Sequence, residues 1–193
     1  MATTKLSNAA FVERGYGQVE PNHLSAQRTG QIYAQLPAAE DITILENGQF
    51  VKYNYAAGVV NVDANAGGEW MLVYNEVKVY DEKAQQDHDF AMIKGNYHAH
   101  VYAPVDYENL NNGEGRQMVP NTTMVPRVFK TNVGDIFTTN TVAAASLAVG
   151  NKLAPNEDGY LAVTEATTGM LWEVVKVYTM PDGQRGVKIV RIA

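Results

Sequence analysis

Residues 171–192 read LWEVVKVYTMPDGQRGVKIVRI, two runs of β-branched and aromatic residues separated by a short segment of different composition. The runs Leu171 to Thr179 and Val187 to Ile192 have the composition of β-strands. Pro181-Asp182-Gly183 between them is a turn signal, because proline, aspartate and glycine each favour a turn conformation. We therefore predict that these two strands form a hairpin, the longest of the chain.

Three more short runs of the same composition precede this hairpin, and turn signals separate them. The runs are Arg127 to Thr131, Asp135 to Thr139 and Tyr160 to Thr164, and the turn signals are Val133-Gly134-Asp135 and Asn156 to Gly159. Several short strands joined by such turns are typical of a small barrel. Residues 127–193 are therefore predicted to form a compact C-terminal β-barrel or β-roll module.

The region from residue 39 to residue 126 is also predicted to be rich in β-strands. Its strand-like runs are Ile42 to Leu45, Gln49 to Tyr55, Gly58 to Val62 and Trp70 to Tyr80. Asn47-Gly48 lies between the first two runs and predicts a hairpin turn there. Residues 106–126 are polar and rich in Asn and Gly, so we expect a long exposed loop, which is often an interaction element. The fold class predicted for the chain is therefore mainly β.

Residues 1–38 differ from the rest and are predicted to form an N-terminal arm, extended or partly helical. Side chains that recur every four residues predict a helix over about residues 22–36. They are Leu24, Arg28, Ile32 and Leu36. Gly30 weakens that helix by about 1 kcal/mol relative to alanine. Two interpretations of the arm stay open: a poorly ordered leader, or a segment that becomes ordered on a partner.

The composition limits the classes of function. The 193 residues carry 15 basic and 21 acidic side chains, a net charge of −6, and no cysteine. An acidic chain lacks the basic surface of a nucleic-acid binder, and a chain without cysteine has no disulfide or thiolate site. Residues 1–10 lack the apolar core of a signal peptide, and no apolar run is long enough to span a membrane. We expect synthesis in a cytoplasm and neither a nucleic acid nor a membrane as partner.

Charge is distributed unevenly along the chain. Residues 40–114 hold thirteen acidic and four basic residues, a net charge of −9, whereas residues 115–193 have a net charge of +2. Two interpretations stay open: a solvated acidic face, or a contact between neighbouring copies of the chain through opposite charges.

The motifs of common catalytic sites are absent from the sequence, but one group of residues has the composition of a metal site. His98 and His100 would lie on the same side of a strand, since side chains two residues apart point the same way. Asp89 lies upstream and would supply a carboxylate, and zinc takes three or four ligands of these types. A half-exposed strand accounts for the same pattern without a metal. We therefore expect no cofactor and no catalytic site, and keep a metal-dependent enzyme as an alternative.

Residues 127–193 also combine several motifs in one order. Gly134-Asp135 introduces a strand, and the run Val149 to Leu153 precedes a turn at Asp158-Gly159. A strand that carries Trp172 then pairs with the terminal strand. This order of elements resembles the small β-barrel or β-tulip modules of tailed-bacteriophage capsid decoration (cement) proteins.

The resemblance implies a structural virion protein without enzymatic activity, made in the cytoplasm of a bacterial host and located on the capsid surface. Its partner would be the major capsid protein, and copies would self-associate on the shell. Arginine and tyrosine are common anchors of protein interfaces. The residues that we expect to contact the shell are Arg14, Tyr16, Arg28, Ile32 and Tyr33.

The alternative interpretation is a receptor- or glycan-binding β module of a phage tail or fibre. Trp70, Tyr107 and the loop at 106–126 would then form the binding surface.

Overall fold

The computed structural model describes residues 17–63, 67–75, 91–93, 125–180 and 184–193, with the backbone alone for 91–93. Over these residues the protein is mainly β, which confirms the fold class predicted from the sequence. The elements in chain order are β1 (Val19–His23), α1 (Ala26–Thr29), β2 (Ile32–Tyr33), β3 (Ile44–Glu46), β4 (Phe50–Asn54), β5 (Val59–Asn61), β6 (Trp70–Val73), β7 (Ala91–Ile93), β8 (Val128–Phe129), β9 (Ile136–Thr139), β10 (Lys152–Pro155), β11 (Leu161–Val163), β12 (Trp172–Thr179) and β13 (Arg185–Arg191).

Six strands form the first sheet, in the spatial order β1-β9-β13-β12-β10-β11, and every neighbouring pair is antiparallel. The longest pair is β12–β13, whose register runs from Trp172 opposite Arg191 to Thr179 opposite Arg185. The strand pairing of the hairpin predicted from the sequence is therefore confirmed. Its turn at 181–183 lies outside the described residues.

The first sheet rolls into a barrel because its two sides meet. β9 pairs with β13, and the chain that follows β9 turns toward β11. There Val142 forms a parallel bridge with Leu161, and the Ala143 N–H donates to the Leu161 carbonyl at 2.8 Å. Strands β9, β13, β12, β10 and β11 thus enclose a small barrel. Its strands differ in part from the predicted ones: the run Arg127 to Thr131 forms β8 of the second sheet, where it pairs with β2 and β6, and β10 was not predicted.

Five strands form the second sheet, in the order β2-β8-β6-β4-β5, and they are again antiparallel. Alternate side chains of a strand point to opposite faces of its sheet. Phe50, Leu72 and Phe129 face the barrel and join its core. Val51 and Val73 belong instead to a second apolar core on the other face.

Aromatic rings connect the barrel to the second sheet. Trp172 is fully buried, and Phe137 meets its ring edge to face at 5.0 Å between ring centroids. Phe50 of the second sheet lies 5.7 Å from the same ring. Each such aromatic pair contributes roughly 0.5–1.5 kcal/mol beyond the burial of its surface. The two sheets therefore share one core.

Strands pair across the boundaries predicted at 38/39 and 126/127. β1 pairs with β9, and β2 pairs with β8, which also pairs with β6. Residues 17–38, assigned from the sequence to the arm, thus belong to both sheets. Val19 and Leu24 are buried in the barrel core. Residues 17–38 have too few apolar side chains to form a core alone. They are ordered because their apolar side chains join a core that the other strands form.

The helix predicted over about residues 22–36 is wrong in length. α1 ends at Thr29, and Gly30 follows with a φ of 69°, the left-handed conformation that ends a helix. The residues of β2 then take main-chain partners in β8. Tertiary pairing of this kind overrides a helical periodicity, because intrinsic helix propensities are small.

The hairpin predicted at Asn47-Gly48 is also wrong. β3 pairs with β7 in a separate two-stranded sheet, and β4 pairs with β5 and β6. The turn is buried against the barrel: the Thr141 hydroxyl donates to the Asn47 carbonyl at 2.6 Å, and Asn47 exchanges hydrogen bonds of 2.7 and 2.9 Å with Asn75. These bonds satisfy the polar groups of the turn from other elements, so the chain passes from one sheet to another.

Residues 34–39, which we call the strap, cross the outer face of the second sheet. The strap starts after β2 at one edge of the sheet. It ends beside β5 at the opposite edge, where Ala38 forms a parallel bridge with Val60 and the Val60 N–H donates to the Pro37 carbonyl at 2.7 Å. Leu36 and Ala38 pack on the second apolar core. The strap therefore covers the face of the sheet that the barrel leaves open.

Candidate functional site

Of the residues predicted to contact a shell, the three that the structure describes do not form one group. Arg28 is exposed on α1. Ile32 and Tyr33 are neighbours in β2 and point to opposite faces of the second sheet: Ile32 packs on the barrel core and Tyr33 on the second core. Arg14 and Tyr16 lie outside the described residues. Of the predicted set, Arg28 is therefore fully exposed and Tyr33 half-buried on the outer face.

Tyr33 begins a row of three tyrosines on this outer face. Its ring centroid lies 5.7 Å from that of Tyr53, and Tyr53 lies 5.5 Å from Tyr55, with interplanar angles of 58° and 52°. Tyr53 is buried, with 5% of its surface exposed, whereas Tyr55 is 72% exposed. We call Tyr33, Tyr53 and Tyr55 the tyrosine strip. It extends from the buried face of the sheet to solvent.

The exposed end of the strip lies in the turn between β4 and β5, which we call the tip (residues 54–58). Tyr55, Ala56 and Ala57 are all exposed there. The side-chain oxygen of Asn54 accepts a hydrogen bond from the Ala57 N–H at 3.0 Å, and Gly58 completes the turn with a φ of 69°. A local hydrogen bond of this type stabilises a turn. The tip therefore presents an apolar surface on a defined backbone.

The strap supports the strip from the side. The Gln35 N–H donates to the Tyr53 hydroxyl at 3.3 Å. Tyr53 is thus fixed by its strand, by two aromatic neighbours and by a main-chain donor. A side chain that is ordered before binding loses little conformational entropy in a complex. The arrangement suits adhesion to a protein surface through aromatic and apolar contacts.

Sequence reasoning missed Tyr53 and Tyr55. Their spacing of two residues within a predicted strand places both rings on one side, and Ala-Ala-Gly directly after Tyr55 identifies a turn without charged residues. These two signals together predict an exposed apolar turn. The position of Tyr33 beside them depends on the pairing of β2 with β8, which has no signal in the local sequence.

The residues of the glycan-binding alternative are in part engaged elsewhere. Trp70 is half-buried at the start of β6, opposite Lys52 of β4. The Lys52 ammonium group lies 4.8 Å from the centre of the indole ring, a cation–π distance. This contact occupies one face of the ring. Tyr107 and the loop at 106–126 lie outside the described residues.

The metal alternative falls on residues that the structure does not describe. His98, His100 and Asp89 all lie outside the described ranges. Within the ranges that are described, no three His, Cys, Asp or Glu side chains come together as a metal site. In the same part of the chain, no helix has the length and apolar composition needed to cross a bilayer.

Comparison of the chain with protein-family models, with curated proteins and with solved structures finds no match. The tyrosine strip and the tip are therefore interpreted from their own geometry.

Proposed function

We propose that this protein is a structural virion protein that binds the outside of an assembled capsid shell and bridges neighbouring subunits of the major capsid protein. The tip carries this proposal, because it holds Tyr55 with 72% of its surface exposed and fixes the ring against Tyr53. Tyrosine is favoured at interfaces, since its ring buries a large area and its hydroxyl still finds a polar partner.

The packing of the two sheets and the exposed turn suit binding to a protein surface. The barrel and the second sheet share an apolar core, and the strap fixes the strip on the side away from the barrel. A rigid body with a protruding aromatic turn is able to bridge two subunits without a change of shape. The order of elements in residues 127–193, which resembles the barrel modules of decoration proteins, supports the same conclusion.

The mechanism would be mass action. A protein that binds the assembled shell and not the free subunit stabilises the shell by its binding free energy. Many copies on one particle add their contributions, so a weak single contact is sufficient. Arg28, which is exposed on α1, would add a charged contact, and Arg14 and Tyr16 are proposed to act from the N-terminal segment.

Co-sedimentation with shells tests the proposal. The probe is a preparation of empty shells assembled from the major capsid protein of the phage whose genome encodes this chain. We expect saturable binding of the full chain, and a loss of about tenfold to a hundredfold in affinity for Tyr55→Ser, the range typical of an interface anchor. The matched control is Val133→Ser, because Val133 is 68% exposed in a turn of the barrel.

These binding measurements test separately whether the tip contacts the shell and whether the chain binds the shell at all. Equal binding of Tyr55→Ser and Val133→Ser would remove the tip from the contact and leave the N-terminal segment as the anchor. A variant that lacks residues 1–16 then tests Arg14 and Tyr16 without deleting β1 or β2. Absence of any saturable binding by the full chain would contradict shell decoration itself.

A further inference from the structure

The outer surface of the barrel carries a bulge in β12. Val174 lies opposite Ile189 and Lys176 lies opposite Lys188, so Val175 is an extra residue without a partner in β13. A bulge of this type turns two successive side chains to the same side of the strand. Val175 is 39% exposed and Lys176 is exposed, in agreement with this geometry.

The bulge brings two positive charges together. Lys176 and Lys188 are directly opposite on neighbouring strands, where like charges are destabilising. Neither lysine makes an ion pair with a carboxylate in the part of the chain that the structure describes. The Lys176 ammonium group lies 5.2 Å from the centre of the Tyr178 ring, a cation–π distance, and the Tyr178 hydroxyl donates to the Glu20 carboxylate at 3.2 Å. A hydrogen bond from a neutral hydroxyl does not cancel the charge of a carboxylate, so two positive charges and one negative charge meet on this surface.

An exposed apolar residue lies in a loop that is attached to β12 at the bulge. The loop that contains Val149 is fixed to the bulge by two hydrogen bonds: the Gly150 N–H donates to the Val174 carbonyl at 2.8 Å, and the Val174 N–H donates to the Asn151 carbonyl at 2.9 Å. We call Val149, Val175, Lys176 and Lys188 the bulge face. It has the composition of a small interface, an apolar centre with a charged rim.

We propose that the bulge face binds the acidic turn at Glu40 and Asp41 on a second copy of this chain. Glu40 and Asp41 follow the strap directly and are both exposed. They form a turn directly after the bridge between Ala38 and Val60, and the Ile42 N–H closes this turn on the Ala39 carbonyl at 3.1 Å. The region that begins at Glu40 carries a net charge of −9 in the sequence, which complements the lysines.

The contact is head to tail, because the two surfaces differ and lie on different sheets. Such contacts close into a ring or continue as a chain of copies, depending on the rotation between neighbours. Neither surface includes the residues of the tip, so the contact between copies does not use the residues proposed to contact a shell. The proposal concerns the purified chain in solution and does not depend on shell binding.

Sedimentation equilibrium of the full chain tests the proposal. We expect self-association at millimolar chain concentration in about 10 mM salt, and its loss in about 1 M salt, because the Debye length falls from about 30 Å to about 3 Å. Lys176→Glu and Asp41→Lys should each weaken self-association by about threefold to tenfold. The control Arg28→Glu changes the charge as much as Lys176→Glu does, at an exposed site outside both surfaces, and should leave it unchanged.

Mixing provides the decisive comparison. Lys176→Glu and Asp41→Lys carry opposite charges on the two surfaces, so an equimolar mixture should associate more strongly than either variant alone. Thermal denaturation separates misfolding from loss of contact: Lys176→Glu should change the melting temperature little, because it replaces the like-charge pair with Lys188 by an opposite-charge pair and removes the cation–π contact with Tyr178. A wild-type chain that is monomeric in low salt, or variants that associate like Arg28→Glu, would overturn the proposal.

Discussion

The hydroxyl of Tyr160 donates a hydrogen bond to Glu46 Oε1 at 2.8 Å, and both side chains are buried. Glu46 ends β3, and Tyr160 directly precedes β11 of the barrel. The bond therefore fastens the two-stranded sheet to the barrel. A hydrogen bond to a buried carboxylate is stronger than one between neutral groups.

Removal of this hydroxyl should destabilise the fold. We expect Tyr160→Phe to lower the free energy of unfolding by about 1–3 kcal/mol, because a buried carboxylate loses a donor. Tyr178→Phe is the matched control, since its hydroxyl donates to Glu20 at 3.2 Å in a partly buried position. It should cost about 0.5–1 kcal/mol. Urea denaturation of both variants measures the difference, and equal losses would contradict a special role for the buried bond.

The same tyrosine predicts a dependence on alkaline pH. Burial, and then the charge of Glu46, raise the pKa of Tyr160 well above its ordinary value of 10. The folded state thus holds this proton where the unfolded chain releases it. The stability from this group is fully present below pH 10 and is lost as the pH rises above 10, by about 1.4 kcal/mol for each pH unit. Urea denaturation on both sides of that pH should show a shallower decline for Tyr160→Phe than for the wild type. Parallel declines would contradict the assignment.

Two glycines with the same backbone angle distinguish conformational strain from close packing. Gly48 and Gly134 both have a φ of 92°. A Cβ atom at Gly48 would lie 2.5 Å from Thr139 Oγ1, whereas one at Gly134 would meet no atom within 4 Å. Gly134→Ala should cost about 1–2 kcal/mol from the left-handed backbone alone. Gly48→Ala should cost about 1–3 kcal/mol more, since the buried turn must move. Thermal denaturation of the two variants compares them, and equal costs would show that the turn is free to shift.

Asp135 should anchor the N-terminal part of the described chain to the barrel. Its carboxylate accepts from the Ser25 N–H at 2.9 Å, the Ser25 hydroxyl at 3.0 Å and the Asn132 N–H at 2.9 Å. Asp135→Asn should lower the free energy of unfolding by about 2 kcal/mol, because an amide presents donors to these donors. Asp158→Asn, at an exposed side chain, is the control and should change it by less than about 0.5 kcal/mol. Similar effects of the two substitutions in urea denaturation would contradict the anchor.

Local sequence patterns were sufficient to predict the long β12–β13 pair and two more barrel strands, but they missed β10 and assigned β8, which belongs to the second sheet, to the barrel. In residues 171–192, apolar and polar side chains alternate and many are β-branched. The two strands that this pattern predicts are close in sequence, so they pair with each other as a hairpin. The errors concern pairing over long distances in sequence. β1 pairs with β9, which lies more than a hundred residues later, and nothing in the local pattern of Val19 to His23 indicates that partner. A strong turn signal likewise does not predict a hairpin when other elements satisfy the polar groups of the turn, as they do at Asn47.

The candidate site shows the same limit. The sequence selected Tyr33 as an interface residue, and the structure places it in the tyrosine strip. It also selected Ile32, which the alternation of β2 turns toward the barrel core. Tyr55 required knowledge that its turn is exposed while the turn at Asn47 is buried. Exposure of a turn depends on the packing of distant elements, so composition alone does not distinguish the two.

The central claim is that the protein decorates a capsid shell with its tip toward the shell. A cryo-electron microscopy reconstruction of empty shells saturated with the full chain tests it most directly. We expect additional density on the outer surface, in which the turn at residues 54–58 contacts the shell and the Tyr55 ring lies between chain and subunit. Shells without added density, or density with the tip pointing into solvent, would contradict it.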